Sequence, residues 1–522
     1  MIDAIELSVL RHLFVGVAEE MGTSLRRTAF SANIKERADY SCAVFSGTGE
    51  LVACGAHMPV HLGAIPFSVQ AALAEIRLEP GITILLNDPY RGGTHLPDLT
   101  MISPVYAPGD KDPLFIVANR AHHADVGGMW PGSMPVAESI YQEGLRIPPV
   151  VIARDGEFRR DIVEMILANV RTPDERRGDL LAQYASNQTG LRRLLEITGR
   201  YSVEKLEEGM ASINDHAESQ ARRTIEALPD GEYRNQDYLE GSEAEPEDIE
   251  LVVKVTIDSD SALVDFTGSS PQVGISLNAV YACTYSAVMY VFGCLAGAGA
   301  HYCAGAMRPV QVIAPEGSIL NPTSPAPVAG GNVETSQRIV DLLFCALAPA
   351  APDRIPAASS GTMNNLSIGG WDSRTDAPFT YYETVAGGAG ASPAGPGADG
   401  IHTHMTNSMN TPIEALETAY PIRVVEYHLR PRSGGPGQHR GGSGVIRSLE
   451  LLEPCRVNML SDRRVHPPPG LAGGEPGRTG DNLVRRKGKN RKMPGKFQIA
   501  AEPGDIITIK TPGGGGWGKK KK

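Results

Sequence analysis

The chain has 522 residues, of which 41% are hydrophobic, 21% charged and 6% aromatic. That balance excludes a wholly disordered chain and suffices for two to four domains at roughly 150 residues each. The 58 glycines and 39 prolines predict a loop-rich fold of short elements, and the net charge of −11 hides two opposed regions: residues 430–522 hold 20 basic and 7 acidic side chains, residues 1–429 hold 29 and 53.

Asp3 with Glu6 has the spacing of a helix cap, and Leu10, Phe14, Val17 and Met21 continue one apolar stripe, so the chain opens on a helix. The stretch from Met1 to Glu6 is acidic and lacks the basic start of a secretory signal. SCAVFS and ELVACG flank Gly47-Thr48-Gly49 and predict a hairpin. GITILLND ends in Asp88-Pro89, and DPLFIVAN runs into Arg120-Ala121-His122-His123; each hydrophobic strand delivers polar residues into a loop. From 157 to 228 the pattern is charged and helical, and Val203 through Leu228 keep the 3-4 spacing of a long amphipathic packing helix.

ELVVKVTI and ALVDFTG predict a second hairpin. Residues 279–300 are uncharged over a length that could span a bilayer, but their Tyr, Thr, Ser and Gly content and the lack of flanking basic anchors favour a buried helix of small residues. GGNVETSQRIVDLLFCALA reads as a helix with Asn332 or Thr335 near its cap. The glycine-rich stretch 387–400 is expected to be a long active loop or a disordered one. Beyond 430 the pattern is strand and turn, with glycine clusters such as SGGPGQHRGGSG and TPGGGGWG read as turns. The expectation is a multi-domain α+β protein with mixed sheets: residues 1–230 a metal-site domain ending in long amphipathic helices, 231–425 a central α/β domain, and 426–522 a basic β-rich unit.

Seven widely spaced cysteines without a C-x-x-C pair indicate neither a disulfide framework nor a zinc ribbon, and fit a reducing cytoplasm. There is no G-x-x-x-x-G-K-[ST] phosphate loop and no G-x-S-x-G elbow. The run Arg485-Arg486-Lys487-Gly488-Lys489-Asn490-Arg491-Lys492 has no interleaved aromatics and reads as a solvated hairpin or a contact with an acidic partner, not a nucleic-acid site; Lys519 to Lys522 read as an unstructured tail. The potential ligands bunch between 36 and 125: Glu36, Asp39, His57, His61, Asp88, His95, Asp98, His122, His123 and Asp125. Imidazole with carboxylate suits zinc, manganese or iron, and His95-Leu96-Pro97-Asp98 after Arg91-Gly92-Gly93 can aim two ligands at one point. Taken singly these histidines fit strand-end hydrogen bonding; taken together they favour a metal site.

Four strings, KERADYSCAVF, GAHMPVHLGA, NDPYRGGTHLPDLT and NRAHHADVGG, resemble the hydantoinase B family, the second component of ATP-dependent N-methylhydantoinases and 5-oxoprolinases, which includes the metal-bearing subunits of acetone and acetophenone carboxylases. The likeness continues through RPVQVIAPEGSILNPTSPAPVAGGNVETSQR to TPGGGGWG, nearly the whole chain. The resemblance implies a hydantoinase A type partner with an actin-like fold, which binds ATP and phosphorylates the substrate oxygen. It implies a divalent metal (zinc, manganese or iron) on this chain, held by Asp39, His95, Asp98 and His122, with His123 competing for the last place. His57, Glu36 and His123 are the expected catalytic groups, with His61 and Asp125 around the ligands or facing substrate. The implied reaction is hydrolysis of a hydantoin, 5-oxoproline or lactam ring; the alternatives are a ketone carboxylase subunit and a non-catalytic assembly subunit. Neither membrane nor nucleic acid is an expected partner.

Overall fold

Short, almost continuously buried runs lay down the first sheet. In the computed structural model, which describes residues 2–243 and 245–520, seven strands pair in the order β2-β1-β5-β4-β3-β6-β7. They are β1 (Tyr40–Ser46), β2 (Leu51–Cys54), β3 (Ile82–Leu86), β4 (Asp98–Val105), β5 (Phe115–His122), β6 (Val150–Arg154) and β7 (Glu157–Phe158), all antiparallel to their neighbours. The expected hairpin around Gly47-Thr48-Gly49 is β1–β2. Both faces of this sheet are covered, and β5 shows it residue by residue. Phe115, Val117 and Ala121 join one core cluster, while Ile116 and Ala118 join another.

The first of these clusters lies under three long helices. α1 (Ala4–Thr28) starts where the Asp3 carboxylate accepts the Glu6 N–H at 2.8 Å, and it buries Leu10, Phe14, Val17, Met21 and Leu25. Each such apolar side chain contributes about 1.5–3 kcal/mol when taken from water. α2 (Ala32–Lys35), α3 (Pro59–Leu62), α4 (Ile65–Glu75) and α5 (Arg160–Leu167) are shorter. α6 (Pro173–Thr198) packs on α1 and on β4 and β5, and α7 (Val203–Glu226) buries Leu206, Met210, Ile213, Ala217 and Ile225, the stripe read from its sequence.

The second cluster joins the first sheet to a four-stranded one, β11-β10-β9-β8, built from β8 (Gly231–Leu239), β9 (Ile249–Asp258), β10 (Ser261–Asp265) and β11 (Val310–Ile313). The apolar segment long enough for a bilayer, Tyr281–Gly299, is α8 (Tyr281–Ala296) with one further turn; α8 packs on α3 and α9 (Ser336–Leu347) and buries Cys283, Ala287, Val288, Val291 and Phe292.

The remaining strands are β12 (Asn365–Asp372) and β13 (Ala377–Glu383), then, after α10 (Ile413–Ala419), β14 (Ile422–Leu429), β15 (Val445–Leu451), β16 (Cys455–Leu460), β17 (Asp481–Arg486), β18 (Lys489–Met493), β19 (Lys496–Ala501) and β20 (Ile506–Lys510). They form two sheets, β13-β12-β16-β19 and β14-β15-β20-β17-β18, so the third sheet draws strands from both sides of residue 425. The architecture is α+β throughout. The basic run forms the exposed β17–β18 hairpin, turning at Lys487 and Gly488 with φ of 49° and 76°. Of the lysine tail, Lys521 and Lys522 lie outside the described residues.

The glycine-rich stretches differ from expectation. Segments around 388–398, 434–444, 470–477 and 513–516 lie backbone against backbone, neither a loose loop nor a series of turns. The Gly442 N–H donates to Ala389 O at 2.8 Å, Gly514 N–H to Gly442 O at 2.9 Å and Gly435 N–H to Gly514 O at 2.8 Å. A Cβ on Gly442 would sit 1.9 Å from Ala398 O, and one on Gly514 2.0 Å from Ala389 O. Glycine is required there by close approach, so the composition reflects packing as well as turning.

Candidate metal centre

The centre begins with strand register. Asp98, the first residue of β4, is paired directly with His122, the last of β5, so their side chains leave the sheet together. His95 comes from the preceding loop, which turns at Gly92 (φ 83°) and is held by Asn87: its Nδ2 donates to Leu96 O at 2.7 Å and to Leu145 O at 2.9 Å. The Asp98 N–H donates back to His95 O at 3.1 Å. All three side chains are buried.

Their polar atoms converge. His95 Nε2 is 2.9 Å from Asp98 Oδ1, His122 Nδ1 is 3.2 Å from the same oxygen and 3.2 Å from His95 Nε2. Ligand atoms about 2.0–2.2 Å from a common ion stand roughly 3.0–3.4 Å apart, so these three fit a divalent cation. The other Asp98 oxygen is occupied: Oδ2 accepts from the Thr94 hydroxyl at 2.7 Å, from His61 Nε2 at 3.2 Å and from Asn332 Nδ2 at 3.3 Å. That division leaves Oδ1 as the inward atom. With His95 Nδ1–H assigned as donor to Ala329 O at 3.2 Å, its Nε2 lone pair faces the cluster, the tautomer a metal ligand needs. His122 Nε2 is buried with no partner.

Burial would raise the Asp98 carboxyl, but His95 and His61 beside it hold it well below the usual carboxylate range. For His95, burial is outweighed by Asp98 and the proton is held more tightly; for His122, burial wins and the proton is held less tightly. Asp39 bears on both imidazoles through its charge, and its backbone carbonyl accepts the His122 N–H at 3.0 Å, but its carboxylate stays outside the three-residue cluster and lies 3.7 Å from Arg37.

The alternation of β5 separates the two adjacent histidines. His122 faces the cluster, whereas His123 Nε2 lies 2.9 Å from Gln183 Oε1 on α6, and burial pushes its imidazole down to about 4. His57 sits apart, its Nδ1 accepting the Cys42 N–H at 3.2 Å and its Nε2 3.7 Å from Glu19. Glu36 is the half-buried residue ending α2, and Asp125 pairs with Arg171 at 2.6 Å. Asp88 pairs with Arg146 at 2.8 Å.

Several groups at the centre come from far along the chain. Asn332 lies in a π-helical turn, Gly331–Thr335, that runs into α9, and its Nδ2 also reaches His95 Nε2 at 3.1 Å. Tyr382 stacks on His122 with ring centroids 4.5 Å apart and planes 19° from parallel, while its hydroxyl donates to Asn365 Oδ1 at 2.8 Å. Glu143 accepts the Val328 and Ala329 N–H groups at 2.9 Å each, fixing the loop whose carbonyl holds His95. Sequence reasoning placed Asn332 only near a helix cap and missed Tyr382 and Glu143. The string GGNVETSQR was the available signal for Asn332, because two adjacent glycines mark a close backbone approach: a Cβ on Gly331 would lie 1.9 Å from Asn278 O.

The Hydantoinase B/oxoprolinase family matches residues 3–520. The chain belongs to that family. It is 39% identical to 5-oxoprolinase 1 of Arabidopsis thaliana over 99% of its own length and 42% of that protein's, so it spans less than half of that relative. A D-/L-hydantoinase component of Pseudomonas sp. (strain NS671) is 30% identical, with 99% of this chain and 90% of that one covered. Among solved structures, the ATP-dependent caprolactamase from Pseudomonas jessenii superposes with a TM-score of 0.91 at 29% identity, covering 99% of this chain and 92% of that one.

Proposed function

We propose that this chain carries the divalent-metal half of an ATP-dependent opening of a cyclic amide, working with a hydantoinase A type ATPase partner that supplies a phosphorylated substrate. The observation that carries this reading is the convergence of His95 Nε2, Asp98 Oδ1 and His122 Nδ1 within 2.9–3.2 Å in a family with amide-opening names. His95, Asp98 and His122 would hold zinc, manganese or iron, with Asp39 beside them as the expected fourth ligand. When bound, such an ion supplies Lewis acidity, which polarises a C–O or P–O bond and acidifies water.

The chain's own groups do the rest. An amide carbon resists water because nitrogen donates into the carbonyl; a phosphorylated oxygen makes an imidate whose carbon accepts one water. The ring C–N bond then breaks with a proton passing to nitrogen to leave an amine and an acyl phosphate, and a second water splits that acyl phosphate into carboxylate and free phosphate. Thr94, His61 and Asn332 keep Asp98 turned the same way through that sequence. Tyr382 covers one face of His122 and excludes water from it. Arg37, fully buried with its guanidinium 5.0 Å from the Tyr382 ring, places a fixed positive charge near Asp39 where phosphate charge has to be accommodated.

The test is metal analysis of the purified chain followed by reconstitution with an A-type partner, ATP and a panel of hydantoins and five- to seven-membered lactams. Wild type binds about one divalent ion at the centre and opens a ring with ATP consumption, and His95→Ala and Asp98→Ala lose both. Equal metal content in wild type and variants refutes the centre. Fixation of labelled bicarbonate into a ketone, with no amide opened, replaces hydrolysis by carboxylation.

A further inference from the structure

A cavity of about 430 Å³ lies behind the candidate metal centre, between α1, the β2–α3 connection and residues 298–303. α3 is the partition: Pro59 and Leu62 line the cavity, while His61 between them bonds Asp98 on the other side. One face of α1 supplies Arg11, Val15 and Glu19, spaced four residues apart and therefore stacked on one side of the helix.

The two ends of that face carry opposite charge. The Arg11 guanidinium lies against the His301 ring, its Nη1 3.0 Å from Nδ1, and reaches toward His12; no carboxylate pairs with it among the described residues. Burial, then Arg11 itself, pushes His301 down to about 4, so that imidazole is neutral and Arg11 brings an uncompensated positive charge to the cavity. At the other end, Glu19 Oε1 accepts the Ala56 N–H at 2.6 Å, while Oε2 stands 3.7 Å from His57 with 46% of the side chain still accessible. The two residues are roughly 12 Å apart along the helix axis. Val52 and Ala300 give the middle an apolar wall. A cation, an apolar stretch and an anion in one cavity complement a short acyclic molecule with a charge of opposite sign at each end.

We infer that this cavity binds an acyclic amino acid, carboxylate on Arg11 and ammonium on Glu19. The choice of that zwitterion rests on the reading above, because opening a cyclic amide leaves an amine and a carboxylate on one molecule. The cavity is then where the opened product rests, across α3 from the centre that made it.

Binding to the purified full chain, without partner or ATP, tests this. The probes are 6-aminohexanoate and L-glutamate, the opened forms of a seven- and a five-membered lactam, with hexanoate and inorganic phosphate for comparison, followed by calorimetry. The zwitterions bind more tightly than hexanoate, and Arg11→Gln and Glu19→Gln each weaken them about tenfold or more. Glu19→Gln retains an oxygen for the Ala56 N–H, so a folded variant is expected and far-ultraviolet circular dichroism checks it. His95→Ala leaves zwitterion binding unchanged. Wild-type affinity in either cavity variant overturns the inference, as does loss of binding in His95→Ala, which would put the ligand in the metal centre. Phosphate binding as tight as that of the zwitterions, with the same dependence on Arg11, makes the cavity an anion site and also overturns it. A failure here leaves ATP-dependent ring opening standing, and a failure of ring opening leaves this binding measurable.

Discussion

Replacing Thr94 by valine isolates the support of the centre from its ligands. Thr94 gives Asp98 Oδ2 its shortest hydrogen bond, 2.7 Å against 3.2 Å from His61 and 3.3 Å from Asn332. Valine keeps the branched shape and volume but has no hydroxyl to donate. A hydrogen bond to a charged group contributes about 1.5–3 kcal/mol, and two donors remain, so the loss belongs near the lower end. Part of Asp98's orientation toward His95 and His122 goes with it, and supporting groups of this kind typically alter metal affinity about 10- to 100-fold. The expected result is a dissociation constant for zinc or manganese raised about 10- to 30-fold, measured on the folded chain by competition with a chelator of known affinity. Arg120 keeps its bonds to Thr100 at 2.9 Å and Ser68 at 2.7 Å, so the strand beneath is still held. A constant within twofold of wild type would refute the argument that Oδ2 anchoring presents Oδ1.

Three further outcomes concern stability. Gly514→Ala places a Cβ 2.0 Å from Ala389 O, against backbone that cannot step aside, and lowers stability by about 3 kcal/mol or more in a thermal melt; an unchanged melt would mean the glycine segments do not pack as described. Gly16→Ala, in α1 with nothing within 4 Å of the new Cβ, gains about 0.5–1 kcal/mol, and a loss there would contradict the open space. His402 is held down to about 4, first by burial and then by Arg37, against 6.5 unfolded. Between those values the unfolded chain binds a proton that the folded chain refuses, so the penalty is absent above about pH 6.5 and grows to on the order of 3 kcal/mol by pH 4. His402→Gln therefore flattens the fall in stability across that window, and denaturant titrations at pH 7 and pH 4.5 compare the two slopes.

Local pattern carried the elements well and distant pairing poorly. The stripe on α7 and the turn between β1 and β2 are written in consecutive residues, and so is the delivery of His95, Asp98 and His122 to strand ends. The choice between His122 and His123 was open in sequence because it depends on which face of β5 meets α6; Gln183, sixty residues on, takes His123. Asn332 and Tyr382 reach the centre from more than two hundred residues away; the paired glycines before Asn332 mark a close approach without saying to what, and no short string places Tyr382. The glycine segments were read as turns because glycine has no side-chain period, and backbone-to-backbone packing leaves no apolar pattern to see.

Those segments also impose an order in time. Ala389 bonds Gly442, but Gly388 bonds Pro512 and Ala391 bonds Gly515, so the chain near 389 has its last neighbour only after position 515 exists. At about 5–20 residues per second of synthesis, the gap is on the order of ten seconds. During it the backbone near 389 and 442 is exposed to water and to any passing N–H or C=O, while the first sheet and its ligand-bearing strands are already complete. The sheet that carries the candidate metal centre is therefore made early, whereas the third sheet, which holds Tyr382 and Asn365, is complete only once β19 has been made. Completion of the candidate site should follow completion of the third sheet, and a chain stalled before β19 would carry His95, Asp98 and His122 without the full sheet that holds Tyr382 over His122.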